Sequence, residues 1–278
     1  MEIIDGKKVA NKLLNELKQK IDKLDKKPGL AVILANNDPA SKVYVASKEK
    51  KADELGIESS SFKFDKSVTQ NELIRLIKEL NRTRGINGIL LQLPLYDHLN
   101  EEEIIEVIEP TKDVDGFHPF NVGKLNSNSR AYAIPCTPKG IVKLLKAYNI
   151  PLEGKNIVVI GRSNIVGKPT ATLLTNENAT VTIAHTKTKD LKSITKNSDI
   201  IVSATGHPKL IKEDMVKKGA VVIDVGIVKN HLGLLEGDVD FERVKNKASY
   251  ITPVPGGVGP MTIACLMENT YELYMLQN

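Results

Sequence analysis

The chain is predicted to be an α/β protein of two units, the second a doubly wound parallel sheet. Three observations carry this. Short apolar runs suited to strands buried on both faces, such as LAVILA after Gly29, INGILLQLP from Ile86, NIVVI from Asn156 and AVVIDVGI from Ala220, alternate with stretches of helical apolar spacing. One of these runs, NIVVI, leads directly into a glycine turn, GRSNIVGKP, that opens a helix. The length of 278 residues suits one large core or two modest ones.

In the first unit, Val9, Leu13, Leu17, Ile21 and Leu24 mark a helix across residues 5–24, and LAVILA follows as a strand. The next segment, DPASKVYVASKEKKADELG from Asp38 to Gly56, is a bounded helix. Asp38 suits the N-cap, Pro39 the first turn and Gly56 the stop. On its wheel Lys42, Glu49, Lys50, Asp53 and Glu54 share a polar side, while Tyr44, Val45, Lys48, Ala52 and Leu55 face the other way. Lys48 is thus placed inward, one turn from Tyr44. A lysine among apolar neighbours loses hydration, which disfavours the ammonium form and equips the amine for proton exchange. A surface helix whose lysine stem snorkels fits the same pattern.

SFKF then reads as a strand, Thr69 to Asn81 as a helix, and INGILLQLP as a strand whose ladder ends at Pro94. Gln92 stands at the carboxyl end of that strand, where open parallel sheets bind ligands, and its amide suits it to hold the Lys48 amine or to cap loose backbone groups. DVDG, Asp113 to Gly116, is a turn by composition. Asp115 in it is suited to a ligand with two adjacent N–H donors, a pairing that a carboxylate accepts in parallel. The first unit ends near Pro119, and residues 121–133 read as a linker.

The second unit starts with a helix from Thr137 and continues with NIVVI and the glycine turn. Such a turn offers backbone amides and a helix dipole to a dinucleotide's phosphates, and marks the sheet as Rossmann-like. Gly161 opens it, Arg162 follows, and Ser163 stands where GxGxxG has its second glycine. The strands ATVTIA, DIIVSA and AVVIDV continue the alternation. NAD-binding units carry an acid about 20 residues past the glycines. Here AHTKTK offers His185, Thr186 and Lys187 instead. Arg162 and the Thr186 hydroxyl suit a ribose phosphate, which favours NADP over NAD. From Leu232 to Val244 the chain is a polar excursion, SYITP is a last short strand, and TPVPGGVGPMT is a stiff loop before the final helix.

Composition removes several classes. A hydrophobic content of 41% and a charged content of 26% are those of a globular domain. No apolar run is long enough for a bilayer, and the first residues lack a secretory pattern, so a cytoplasmic location is expected. Two distant cysteines and five scattered histidines indicate neither a disulfide framework nor a metal site. The net charge of +5 is spread among carboxylates, and aromatics are 4%. That gives no stripe or stacking platform for nucleic acid and suits anionic small molecules equally well.

The helix DPASKVYVASKEKKADELGI, with GILLQLPL, PTKDVDGFHPFNVGKL, IPCTPKG, GRSNIVGKP and TPVPGGVGPMT in order, resembles the bifunctional methylenetetrahydrofolate dehydrogenase/cyclohydrolase family over nearly the whole chain. The resemblance implies two domains around a cleft: a catalytic, folate-binding domain at 1–120 completed by the C-terminal helix 260–278, and an NADP-binding domain at 121–259. It implies oxidation of 5,10-methylenetetrahydrofolate with NADP and hydrolysis of the methenyl product to 10-formyltetrahydrofolate, by a homodimer. Lys48, Tyr44, Gln92 and Asp115 would be catalytic. Tyr44, Asp115, Pro255, Gly256 and Gly257 would contact the folate, and Gly161, Arg162, Ser163, Thr186 and Ile227 the cofactor. One departure is ANN at 35–37, in place of a glycine-bearing loop. An enzyme with only one of the two activities, or a non-catalytic dinucleotide-binding protein, is the rival reading.

Overall fold

A computed structural model describes every residue of the chain except His231. In chain order the elements are β1 (Glu2–Ile3), α1 (Gly6–Asp22), β2 (Gly29–Leu34), α2 (Pro39–Leu55), β3 (Glu58–Lys63), α3 (Gln70–Arg82), β4 (Gly88–Gln92), α4 (Glu101–Val107) and α5 (Pro119–Asn126). They continue with α6 (Cys136–Ala147), β5 (Asn156–Ile160), α7 (Gly167–Asn176), β6 (Thr180–Ala184), α8 (Leu191–Lys196), β7 (Ile200–Ser203), β8 (Val221–Asp224), β9 (Val228–Lys229), β10 (Leu235–Glu236), α9 (Phe241–Val244), β11 (Tyr250–Ile251) and α10 (Val258–Gln277). They form two compact units. One holds Lys12–Cys136 and Cys265–Asn278, the other Met1–Asn11 and Thr137–Ala264.

The first of these is built on a three-stranded parallel sheet, β3-β2-β4. Every residue of the central strand β2 is buried, as its unbroken apolar sequence requires. Ile33, Leu73, Ile77, Ile89, Leu91 and Ile104 form the core on one face. A bridge between Ile89 and Asp113 extends the ladder beyond β4, which fixes the start of the DVDG turn at the sheet's edge. The end of α10 fastens the same region: Gln277 Nε2 donates to Asn87 O at 2.9 Å and to Thr111 O at 2.7 Å. The stretch read as a linker from residue 121 contains part of α5. Only Asn121 and Leu125 of that helix are buried, so it carries no apolar stripe for a periodicity search to find. Asn121 Nδ2 instead ties it to the Asp113 carboxylate at 2.9 Å.

The other unit is a six-stranded parallel sheet in the order β1-β11-β8-β7-β5-β6. The chain passes from β5 outward to β6 and then back across to β7, so a topological switch point falls between β5 and β7. Val158, Ile160, Ile201, Val222, Val244 and Ile251 fill the core on one side. The first eleven residues belong here because β1 pairs with β11; two residues are too few for any sequence period to announce a strand. The polar excursion after Leu232 contains β10, the second strand of an antiparallel pair with β9, and then α9.

Candidate active site

Helix α2 begins as its sequence dictates. The Asp38 carboxylate accepts from Ala40 N and Ser41 N at 3.1 Å each, and Gly56 ends the helix at φ 78°. Ser41, Val45, Ala52 and Leu55 are its buried residues. Lys48 occupies the missing place in that 3-4 stripe and is half-buried. Tyr44, expected on the inward side, lies at its margin with 37% exposure; partial burial of its ring raises the phenol pKa.

The Lys48 amine reaches the carboxyl end of β4, where its Nζ donates to Gln92 Oε1 at 2.9 Å. Gln92 is itself oriented, because its Nε2 donates to Leu93 O at 2.8 Å and leaves the carbonyl oxygen for the lysine. Two asparagines in the loop before α2 hold this pairing from the other end. Asn36 Nδ2 donates to Pro94 O at 2.6 Å, Asn36 Oδ1 accepts from Asp38 N at 3.0 Å, and the Tyr96 hydroxyl donates to Asn37 Oδ1 at 2.9 Å. The start of α2 is thereby fastened to the segment that follows Gln92.

Asp115 lies in the turn after the Ile89–Asp113 bridge. Gly116 adopts φ +68° there, and a Cβ on it would stand 2.9 Å from Ala133 O, so the turn requires glycine. The two aspartates of DVDG divide the work. Asp113 is buried and structural, accepting from His118 N and Asn121 Nδ2 at 2.9 Å each. Burial pushes the Asp115 carboxyl up to about 6, the positive charge of Lys48 opposes this, and the charge of Asp113 adds to it. Cys136 Sγ donates to Asp115 Oδ1 at 3.6 Å. Asn269 Nδ2 on α10 donates to Val114 O and Ile134 O at 2.8 Å each, holding the turn and the segment before Cys136 together. Neither Cys136 nor Asn269 was legible as a site residue, since a lone cysteine and a mid-helix asparagine carry no local motif.

In the six-stranded unit, a pocket of about 440 Å³ opens at the switch point. Gly161, Arg162, Ser163 and Thr186 line it, together with Thr205 and His207 from the end of β7. Gly161 has φ +118°, and a Cβ there would meet Ala204 O at 2.3 Å; one on Gly167 would meet Gly161 O at 2.2 Å. The turn is therefore bare backbone at both ends, a cradle that fits a dinucleotide's phosphates. Ser163 supplies the cap at the helix start that the glycine pattern lacks, its Oγ accepting from Val166 N at 3.2 Å and Gly167 N at 3.3 Å. After β6 the chain turns tightly, with His185 N donating to Thr188 Oγ1 at 2.8 Å, and presents exposed Thr186. The first acid beyond, Asp190, caps α8 by accepting from Ser193 N at 3.2 Å. Ile227 is 40% exposed beyond β8 and is not among the residues lining this pocket.

Gly161→Ala is expected to destabilise the fold by about 2–3 kcal/mol, the combined cost of a left-handed alanine and its clash with Ala204 O. It should also abolish dinucleotide binding. Thermal melts and an NADP titration read the two effects, and unchanged affinity would disconnect this turn from the cofactor.

Pro255, Gly256 and Gly257 belong to the six-stranded unit rather than to the one holding Lys48. Their loop is pinned to the start of α1: Lys7 N donates to Gly256 O at 3.2 Å, and a Cβ on Gly6 would stand 1.7 Å from Gly257 O.

Comparison with known proteins decides the family. Residues 4–115 match the model described as tetrahydrofolate dehydrogenase/cyclohydrolase, catalytic domain, and residues 135–278 match its NAD(P)-binding domain. The chain belongs to the tetrahydrofolate dehydrogenase/cyclohydrolase family. Among its relatives, the bifunctional protein FolD of Sulfurihydrogenibium sp. is 56% identical over 279 residues, covering 99% of this chain and 98% of that protein. The crystal structure of the bifunctional enzyme FolD from Campylobacter jejuni is 51% identical and superposes with a TM-score of 0.98 over 100% of both chains. The Trypanosoma brucei enzyme, solved with NADP cofactor and inhibitor, is 38% identical with a TM-score of 0.95, covering 99% of this chain and 97% of that one. Family membership fits the chemistry of both units: an oriented amine beside a carboxylate in the first, a glycine cradle without a ribose-binding acid in the second. Among the described residues no cluster of histidine, cysteine and carboxylate suits a metal ion, and no helix is long and apolar enough to cross a membrane.

Proposed function

We infer that the protein oxidises 5,10-methylenetetrahydrofolate to the 5,10-methenyl cation with NADP and hydrolyses that cation to 10-formyltetrahydrofolate, with Lys48 as the acid–base residue. The observation that carries the reading is the 2.9 Å bond from Lys48 Nζ to Gln92 Oε1, beside a half-buried Asp115, in a chain matching both domains of the family. NADP, when bound, accepts the hydride. This chain's residues do the rest. Asp115 anchors the pterin edge through its two acceptor oxygens, and Tyr44 supplies a flat wall and a hydroxyl. Lys48 manages the protons when water adds to the bridging carbon, and Gln92 holds its nitrogen in place. Gly161, Arg162, Ser163, Thr186 and Ile227 bind the cofactor.

A mixture of protein, methylenetetrahydrofolate and NADP should generate NADPH, and purified methenyltetrahydrofolate should be consumed without any dinucleotide. Failure of both assays would overturn the reading. Because Thr186 stands where an acid would select NAD and Arg162 in the glycine turn adds a positive charge to the same pocket, the KM for NADP should be at least about tenfold below that for NAD. Steady-state titration of both cofactors checks this, and the reverse order would reassign the pocket. We further propose that the unit of the three-stranded sheet, completed by the end of α10, is the folate domain and that the six-stranded unit is the cofactor domain. The protein acts as a cytoplasmic homodimer without nucleic-acid or membrane partners, and its product feeds purine biosynthesis. Light scattering of the purified chain tests the dimer.

A further inference from the structure

Two carboxylates are buried together at the carboxyl ends of the six-stranded sheet, outside every role given so far. Asp224 ends β8 and Asp238 follows β10; they are 3% and 0% exposed. Asp224 works on backbone alone: its Oδ1 accepts from Gly226 N at 3.0 Å and Asp238 N at 2.9 Å, and its Oδ2 from Val239 N at 2.9 Å. Asp238 works on side chains and on the pocket wall. Its Oδ2 accepts from Ser203 Oγ at 2.9 Å, Thr205 N at 2.7 Å and Thr205 Oγ1 at 2.9 Å. Its Oδ1 is buried with no hydrogen-bond partner and lies so close to Gly226 that a Cβ there would stand 2.2 Å from it.

One carboxylate thus presses on two segments at once. Thr205 lines the dinucleotide pocket and in turn receives His207 N on its Oγ1 at 3.2 Å. Gly226 immediately precedes Ile227. Three donors gathered on a single oxygen, with the other left bare against a glycine, is an arrangement that stability alone does not favour, because a buried acceptor without a donor is costly. We propose that Asp238 is a positioning residue for the cofactor: it fixes Thr205 and the Gly226 segment in the arrangement that receives the dinucleotide. This rests on the reading of the pocket as the NADP site.

The test uses the whole protein with Asp238→Asn and measures both activities. The amide keeps an oxygen for the three donors but sets an NH2 against Gly226 and removes the charge. The expected result is a KM for NADP raised at least about tenfold, with the KM for methylenetetrahydrofolate and the cyclohydrolase rate, which needs no dinucleotide, within about twofold of the parent. An NADP KM within about twofold of the parent overturns the proposal. So does a parallel loss of both activities, which is the mark of a purely structural residue. Ser203→Ala removes one of the three donors without altering a pocket-lining side chain and covers the case in which Asp238→Asn does not fold. It should raise the NADP KM about threefold and leave hydrolysis alone, and an unchanged KM counts against Asp238 equally. Failure of the parent protein itself to use NADP would instead sink the assignment of the pocket, so the two failures are told apart by the parent's own kinetics.

Discussion

Lys48→Met will hydrolyse methenyltetrahydrofolate at least about a thousandfold more slowly than the parent while binding NADP with unchanged affinity, a loss within the range for removing a positioned acid–base group. The substitution is close to a pure removal of chemistry. Methionine has nearly the length of lysine and suits a half-buried place in the Ser41, Val45, Ala52, Leu55 stripe. What disappears is the nitrogen that donates to Gln92 Oε1, and Gln92, itself only half-buried, can turn its oxygen to water. The melting temperature should therefore be equal to or above the parent's, so that loss of rate cannot be ascribed to unfolding. The NADP pocket is formed within the other compact unit, which is why dinucleotide affinity serves as an independent control. A Lys48→Met protein that hydrolyses within tenfold of the parent would remove Lys48 from the mechanism. Gln92→Leu provides the graded companion, since it keeps the amine and removes only what orients it.

The parts of the fold that sequence reveals are those in which local chemistry and global placement agree. Asp38, Pro39 and Gly56 bound α2 as their individual preferences require, and the apolar runs become parallel strands because both of their faces are covered. Helix α3 likewise starts at Thr69 with Glu72 reaching back to Thr69 N at 2.7 Å. Lys48 and Gln92 are legible for the same reason: a charge in an apolar stripe and an amide at a strand's carboxyl end each break a local pattern. Elements held by long-range pairing are not legible in this way. The pairing of β1 with β11 joins residues some 250 positions apart through two-residue strands, and α5 is held by Asn121 rather than by an apolar face. Cys136 and Asn269 reach the Asp115 turn from distant segments, and Asp224 and Asp238 acquire meaning only when β7, β8 and the turn after β10 come together. Their sequence setting, DVG and GDV, reads as ordinary turn chemistry.

Asp115→Asn should weaken folate binding by at least about a hundredfold, leave NADP binding unchanged, and make the protein more stable at neutral pH. The first effect follows from geometry. A carboxylate offers two acceptors to adjacent N–H donors, whereas an amide turns one of them into a donor facing a donor, losing a charge-assisted bond worth about 1.5–3 kcal/mol and adding a repulsion. The third follows from burial, which raises the Asp115 carboxyl from 3.8 to about 6. A raised acid favours the folded state below its unfolded pKa, and that contribution is lost as pH rises through the folded value. The ionised side chain is thus a burden above about pH 6, and its neutral replacement should stabilise by about 1–2 kcal/mol at pH 7–8, allowing for its partial exposure. The advantage should fade as pH falls from about 6 to 4, where the parent's carboxyl takes up its own proton. In the parent, affinity for a substrate analogue should be flat above about pH 7 and fall about tenfold per unit below about 6. Denaturation at a series of pH values, run beside calorimetric titration of the analogue, reads both limbs. An Asp115→Asn protein no more stable than the parent at pH 8 would show that burial does not strain the carboxylate, and an affinity indifferent to pH between 5 and 7 would show that this carboxylate is not the group that grips the pterin.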